Sequence, residues 1–201
     1  TQWSSSAASD VYKRQGKMPD DELLVEILEC ENDTNIGHIT LNSPETLNSL
    51  TLNMVNEMSV LLDKWEVDPN IKMVILSGSD EKAFCAGGDI RALYESMCSS
   101  KGPIFAERFF ESEYRLDYKM HRYSKPIISI LDGIVMGGGA GLMFASSYKI
   151  ATERTRFAMP EIGVGLFPDV GFTSIIKMLP KGLGLYMMLT STQLTAFDTV
   201  F

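Results

Sequence analysis

Lys125–Asp169 reads KPIISILDGIVMGGGAGLMFASSYKIATERTRFAMPEIGVGLFPD, and the fold is decided there. A β-branched run, Ile127 to Ile130, reads as a buried strand that stops at Asp132-Gly133. The chain re-enters regular structure as Gly137-Gly138-Gly139-Ala140-Gly141, ahead of an apolar, helix-like stretch through Ala145. Glycine leaves backbone N–H groups open to a ligand with no side chain in the way, and a helix start adds positive potential to them. Two carboxylates with apolar neighbours come next: Glu161 after Ala158-Met159-Pro160, and Asp169 after Leu166-Phe167-Pro168. In each case a proline fixes the backbone just before the acid. Anion-binding amides upstream of carboxylates in apolar surroundings are what an enzyme handling a carbonyl needs.

Working outward, Lys82–Ile90 (KAFCAGGDI) is a second glycine turn. A strand from Lys72 to Leu76 ends at Ser77-Gly78, a loop runs from Asp80 to Gly88, and Asp89 opens a helix through about Met97. Upstream, Leu23–Leu28 and Ile36–Leu41 read as strands joined by the polar turn Glu31–Asn35. Pro44–Leu50 reads as a loop. Thr51 then caps a helix in which Met54, Val55, Met58, Leu61, Leu62 and Trp65 recur at spacings of three and four, with Asp68-Pro69 closing it. A long helix from about Pro103 to Tyr123 presents Phe105, Phe109, Leu116 and Met120 on its apolar face. Its periodicity alone makes Glu113 a solvated face residue. Tyr148–Ala151 and Thr155–Ala158 read as short strands, and Gly171–Leu179 and Leu183–Leu189 as helical. This alternation implies an α/β fold with much parallel pairing.

The 201 residues suit one domain, and 45% hydrophobic against 22% charged residues support a core. Residues 1–20 read as a disordered tail, with no apolar core of a secretory signal and no convincing transit pattern. Residues 21–201 read as the folded unit, and the apolar ending leads us to expect a C-terminal helical region that is largely missing. A net charge of −8 without clustered Lys and Arg argues against a nucleic-acid surface, yet leaves room for a phosphate-bearing small molecule. Cys30, Cys85 and Cys98 are scattered, and with only His38 and His121 besides they argue against a disulfide frame or a metal site. No run approaches the roughly 18 apolar residues of a membrane helix, so no membrane partner is expected.

Neither nucleotide fingerprint can be laid on the glycine turns, because Leu142 fills the last glycine position after Gly137 and Gly139. Two glycine turns, each leading into a helix, suit a two-donor oxyanion hole. Such a hole grips a carbonyl that becomes anionic: a thioester, ester or amide. No G-x-S-x-G is present, so hydrolysis here has to use a carboxylate. A binding protein without turnover is the alternative from another class.

Together, Lys82–Ile90 (KAFCAGGDI), Asp132–Gly141 (DGIVMGGGAG) and Phe157–Gly171 (FAMPEIGVGLFPDVG) closely resemble the enoyl-CoA hydratase/isomerase (crotonase) superfamily, and within it the 3-hydroxyisobutyryl-CoA hydrolase branch. The resemblance runs from about Leu23 to Asp198. It implies a spiral of ββα turns and, after it, a helical region that assists assembly of like subunits. It implies backbone donors at Gly88 and Gly138 and an acyl-CoA substrate, with coenzyme A as part of that substrate and no resident cofactor. Hydratases of this family carry one glutamate two residues after the glycine triplet, where this chain has Gly141, and another in the P-E motif, kept here as Glu161. The hydrolase branch pairs the P-E glutamate with an aspartate eight residues on, which matches Asp169, and has a substrate-contacting glutamate in the preceding helix, which matches Glu113. Phe172-Thr173 depart from the smaller residues of relatives, so the packing behind Asp169 is expected to differ. The resemblance implies a mitochondrial matrix enzyme of valine breakdown, with the cytoplasm or the peroxisome as the alternative compartments; hydratase or isomerase chemistry on the same fold is the runner-up.

Overall fold

The computed structural model describes residues 21–30, 34–99 and 103–198. The tail reading for residues 1–20 and most of the polar turn at 31–35 fall outside them. The first two strands, β1 (Leu23–Cys30) and β2 (Thr34–Leu41), pair antiparallel with Leu23 opposite Leu41. After a 3-10 turn at Pro44–Thr46 comes α1 (Leu52–Val67), whose first turn is capped by the Thr51 hydroxyl accepting from the Met54 amide at 3.1 Å. Met54, Val55, Met58, Leu62 and Trp65 are its buried face, as their spacing requires.

From here the chain repeats one manoeuvre. A longer strand joins the first sheet, and a three-residue strand right after it joins a second. The pairs are β3 (Ile71–Gly78) with β4 (Ala83–Cys85), β5 (Ile127–Leu131) with β6 (Ile134–Met136), and β7 (Tyr148–Ala151) with β8 (Arg156–Ala158). The first sheet has the order β1-β2-β3-β5-β7, parallel from β2 onward. In the second, β4, β6 and β8 are parallel neighbours, and β9 (Leu194–Thr195) adds an antiparallel edge. The stretches read as a loop at Asp80–Gly88 and as a break between Asp132 and Gly137 thus contain β4 and β6. Three residues are too few for a period to emerge, and of the three such strands sequence pattern marks only β8, within Thr155–Ala158.

Helices fill the space between turns. Asp89 caps α2 (Ile90–Cys98) through the Ala92 amide at 3.0 Å. Next come α3 (Ile104–His121), α4 (Gly138–Ala145), α5 (Phe172–Ile175) and α6 (Leu183–Thr190). The Gly171–Leu179 stretch is a four-residue helix leading into a 3-10 turn at Ile176–Met178. Phe172 is fully buried and stacks on Phe144 with ring centroids 5.6 Å apart, so the larger residue there is taken up as core. The C-terminal end of α3 and the residues just after it are tied to α1: Lys119 Nζ reaches Ser59 Oγ and Asp63 at 2.7 Å each, and the Tyr123 hydroxyl donates to the Leu62 carbonyl at 2.7 Å.

Candidate active site

Parallel pairing of β4, β6 and β8 brings their C-terminal ends to one edge of the second sheet. Each strand runs directly into one of the motifs: Gly87-Gly88 after Cys85, Gly137-Gly138 after Met136, and Pro160-Glu161 after Ala158. The first glycine turn is clamped from the side. The Leu50 amide donates to the Gly87 carbonyl (2.7 Å) and the Asp89 amide to the Leu50 carbonyl (3.0 Å). A parallel bridge of this form leaves the N–H of the residue between them, Gly88, pointing the other way. Gly138 is the first residue of α4, so its N–H lies beyond the reach of any intrahelical acceptor. Among the described residues neither N–H has a backbone hydrogen bond. The two turns touch: a Cβ built on Gly87 would stand 3.2 Å from the Gly138 nitrogen. Gly87 has φ +104° and Gly137 φ +51°, conformations that suit glycine.

A cavity of about 120 Å³ opens at this edge, lined by Gly88, Gly138, Glu113, Glu161 and Asp169 among others. All five residues singled out in the sequence meet there. Glu161 begins a 3-10 helix, Glu161–Val164, and a Cβ on Gly137 would lie 3.4 Å from its Oε1. Glu113 comes in from α3. It is only 3% exposed, so the solvated-face reading that helix periodicity gives is overturned. Asp169 is half-buried on the segment leading to α5, where Tyr114 donates a hydrogen bond to its Oδ2.

A family model described as enoyl-CoA hydratase/isomerase matches residues 36–201. The chain belongs to that family. Its sequence is 46% identical to the mitochondrial 3-hydroxyisobutyryl-CoA hydrolase of Danio rerio, over 81% of this chain and 42% of the relative. It is 45% identical to the probable 3-hydroxyisobutyryl-CoA hydrolase 3 of Arabidopsis thaliana, over 82% of this chain and 43% of that protein. It thus spans less than half the length of these curated relatives. Among solved structures it is similar to a carnitinyl-CoA dehydratase from Mycobacterium thermoresistibile, with TM-score 0.81 and 41% identity, covering 89% of this chain and 51% of the other. An enoyl-CoA hydratase from Rhodobacter sphaeroides superposes with TM-score 0.82 at 34% identity, covering 90% and 52%. The sheet-to-sheet spiral seen here is therefore the crotonase fold.

The electrostatics of the small cavity are those of crowded acids. Burial pushes the Glu113 carboxyl up to about 8, with the charges of Asp169 and Glu161 adding to it. Burial likewise raises Glu161 to about 7; its own backbone amide opposes this and Asp169 adds to it. Neither Glu161 oxygen has a hydrogen-bond partner in another described residue. Two groups that sequence reasoning missed belong to the same neighbourhood, Tyr114 and Asp117. A Cβ on Gly141 would meet Asp117 Oδ2 at 2.8 Å, and both Asp117 oxygens are buried without partners among the described residues. Burial first, then Glu113 and Asp169, hold the Asp117 carboxyl well above the usual range. The available signal was its spacing: Asp117 lies one helical turn beyond Glu113. His38 bonds to Ser77 (2.9 Å) and Thr40 (3.3 Å), away from the site, and His121 is exposed at the rim of a second cavity of about 580 Å³.

Proposed function

We propose that the protein hydrolyses a short β-hydroxyacyl-CoA thioester, 3-hydroxyisobutyryl-CoA first among them, to the free β-hydroxy acid and coenzyme A. The observation that carries this reading is the convergence of two amides without a backbone partner among the described residues, Gly88 and Gly138, with Glu113, Glu161 and Asp169 on one small cavity. The names of the Danio and Arabidopsis relatives point to the same substrate.

In this reading the thioester oxygen lies between the Gly88 and Gly138 amides, which strengthen their hold as the carbonyl becomes anionic. Glu161 attacks the carbonyl or draws a proton from the attacking water; either route needs its ionised form. A carboxyl titrating near neutrality is a stronger base than an ordinary glutamate and still ionises at working pH. Collapse of the tetrahedral adduct expels the coenzyme A thiolate; on the nucleophilic route water then cleaves the mixed anhydride, which releases the β-hydroxy acid and frees Glu161. Glu113 and Asp169 orient the β-hydroxyl and assist proton transfer. Coenzyme A enters as substrate, and the reading asks for no resident cofactor or metal. The Danio relative is mitochondrial by name, which supports the matrix as the compartment. Assembly of like subunits through a C-terminal helical region is part of the same proposal.

The test pairs two substrates, 3-hydroxyisobutyryl-CoA and crotonyl-CoA, monitored by free thiol and by enoyl absorbance. Thiol release from the first with negligible hydration of the second is expected, because Gly141 offers no second hydratase carboxylate. Robust hydration would move the protein to the hydratases, and binding of both without turnover would make it a carrier. Glu161→Gln should abolish cleavage and leave binding within a few-fold, since shape is kept and charge lost.

A further inference from the structure

We infer that Tyr114 is a positioning residue that holds the Asp169 carboxylate in the orientation needed to receive the substrate's β-hydroxyl; the inference rests on the hydrolase reading above. Asp169 stands on a stretch with little support of its own. Residues 166–169 have no regular structure, and Val170 and Gly171 come next with φ of +41° and +82°. A carboxylate on such a segment needs an outside partner to keep one orientation, and the Tyr114 hydroxyl supplies it by donating to Oδ2.

The donor is itself well set. The Tyr114 ring lies against Phe110 with centroids 6.0 Å apart, and Phe110 meets Phe109 edge-on at 5.6 Å. Phe109 is buried, and its ring edge would lie 2.9 Å from a Cβ on Gly88. One helix, α3, therefore presents Glu113 and also fixes Asp169 through the next residue. Tyr114 lines the larger cavity and Asp169 lines both, so the phenol approaches the carboxylate from outside the small cavity. Oδ2 is committed to the tyrosine, and Oδ1 is left for a substrate hydroxyl.

The experiment is Tyr114→Phe in the full chain, which keeps the ring and removes the hydrogen bond. It is assayed on 3-hydroxyisobutyryl-CoA and on isobutyryl-CoA, the same thioester without the hydroxyl. We expect kcat/KM on the hydroxylated substrate to fall about tenfold, the scale of one hydrogen bond to a charged group, with the deoxy substrate changed less than about twofold. An equal fall on both substrates, or no change on either, would overturn the inference. The same preference is read without turnover from binding of the two thioesters in a Glu161→Gln background, where Tyr114→Phe should erode the advantage of the hydroxylated one. Asp169→Asn separates the two layers. If it loses the preference while Tyr114→Phe keeps it, only the positioning role fails; if Asp169→Asn keeps the preference, Asp169 does not receive the hydroxyl and the function reading fails in that part.

Discussion

Glu161 and Glu113 are carboxyls placed out of water with no described cation beside them, and burial holds their protons on above the ordinary glutamate range. Burial pushes Glu161 up to about 7 and Glu113 up to about 8. If Glu161 is the base or nucleophile, kcat/KM for thioester cleavage should rise with pH through about 7. Asp169 is the charged neighbour that raises Glu161, after burial. Asp169→Asn removes that charge and should move the rising limb to lower pH. Glu113→Gln should leave the limb near 7, because Glu113 is not among the groups that raise Glu161. A pH profile of kcat/KM for the three proteins checks both statements; a limb that moves for Glu113→Gln and not for Asp169→Asn would reassign the titration.

At the scale of elements, α3 is the organiser, and it works through glycine. Phe109, Glu113 and Asp117 recur every four residues, and each rests on a glycine of another element: Gly88, Gly138 and Gly141 in turn. A Cβ on Gly138 would come within 2.1 Å of Glu113 Oε1, so even Gly138→Ala displaces that carboxyl before it disturbs any amide. Gly139 serves packing instead, since its Cβ would fall 2.3 Å from the Cys85 carbonyl. Gly141 is a packing position as well. A side chain there would meet the Val170 Cβ at 2.7 Å and Asp117 Oδ2 at 2.8 Å. Gly141→Glu should therefore destabilise the fold by about 1–3 kcal/mol, the usual cost of overpacking, and lower hydrolysis with it. Asp117→Ala should recover part of that loss in the double variant. Chemical denaturation of the two single variants and the double measures the coupling; simple additivity would mean that Asp117 does not occupy the room beside Gly141.

For the whole molecule, the buried acids tie stability to pH. In the unfolded chain these carboxyls ionise near the ordinary glutamate value, and in the folded protein only near 7 and 8. The folded state binds more protons across that interval. The stabilisation is therefore complete below the unfolded value and is lost as pH rises through the folded ones. Melting temperature should fall between about pH 5 and pH 8.5, and Glu113→Gln should flatten the slope; a melting temperature constant over that range would contradict it. The surface carries a second whole-molecule property. Phe167 (71% exposed), Met178 (78%) and Phe197 (85%) stand in water, as do Leu185, Tyr186 and Leu189 of α6. Exposed large apolar groups in such number favour association. The 201-residue chain should self-associate with rising concentration, and Leu185→Glu with Leu189→Glu should reduce this in light scattering; a monodisperse parent chain would count against it.

Signals confined to a few consecutive residues were legible in the sequence. Thr51 and Asp89 cap their helices through an amide three residues on, and the apolar spacing in α1 is the face it buries. The glycine turns and the two proline-acid pairs were legible as motifs, because residue type and order alone define them. Tertiary structure decided the remainder. Strands β4 and β6 exist because parallel neighbours complete their hydrogen bonds, which three residues cannot signal by period. The burial of Glu113, the grip of Tyr114 on Asp169 and the placing of Asp117 against Gly141 depend on how α3 is docked. A glycine records only the absence of a Cβ; which side chain enters that space is fixed when a distant element packs against it.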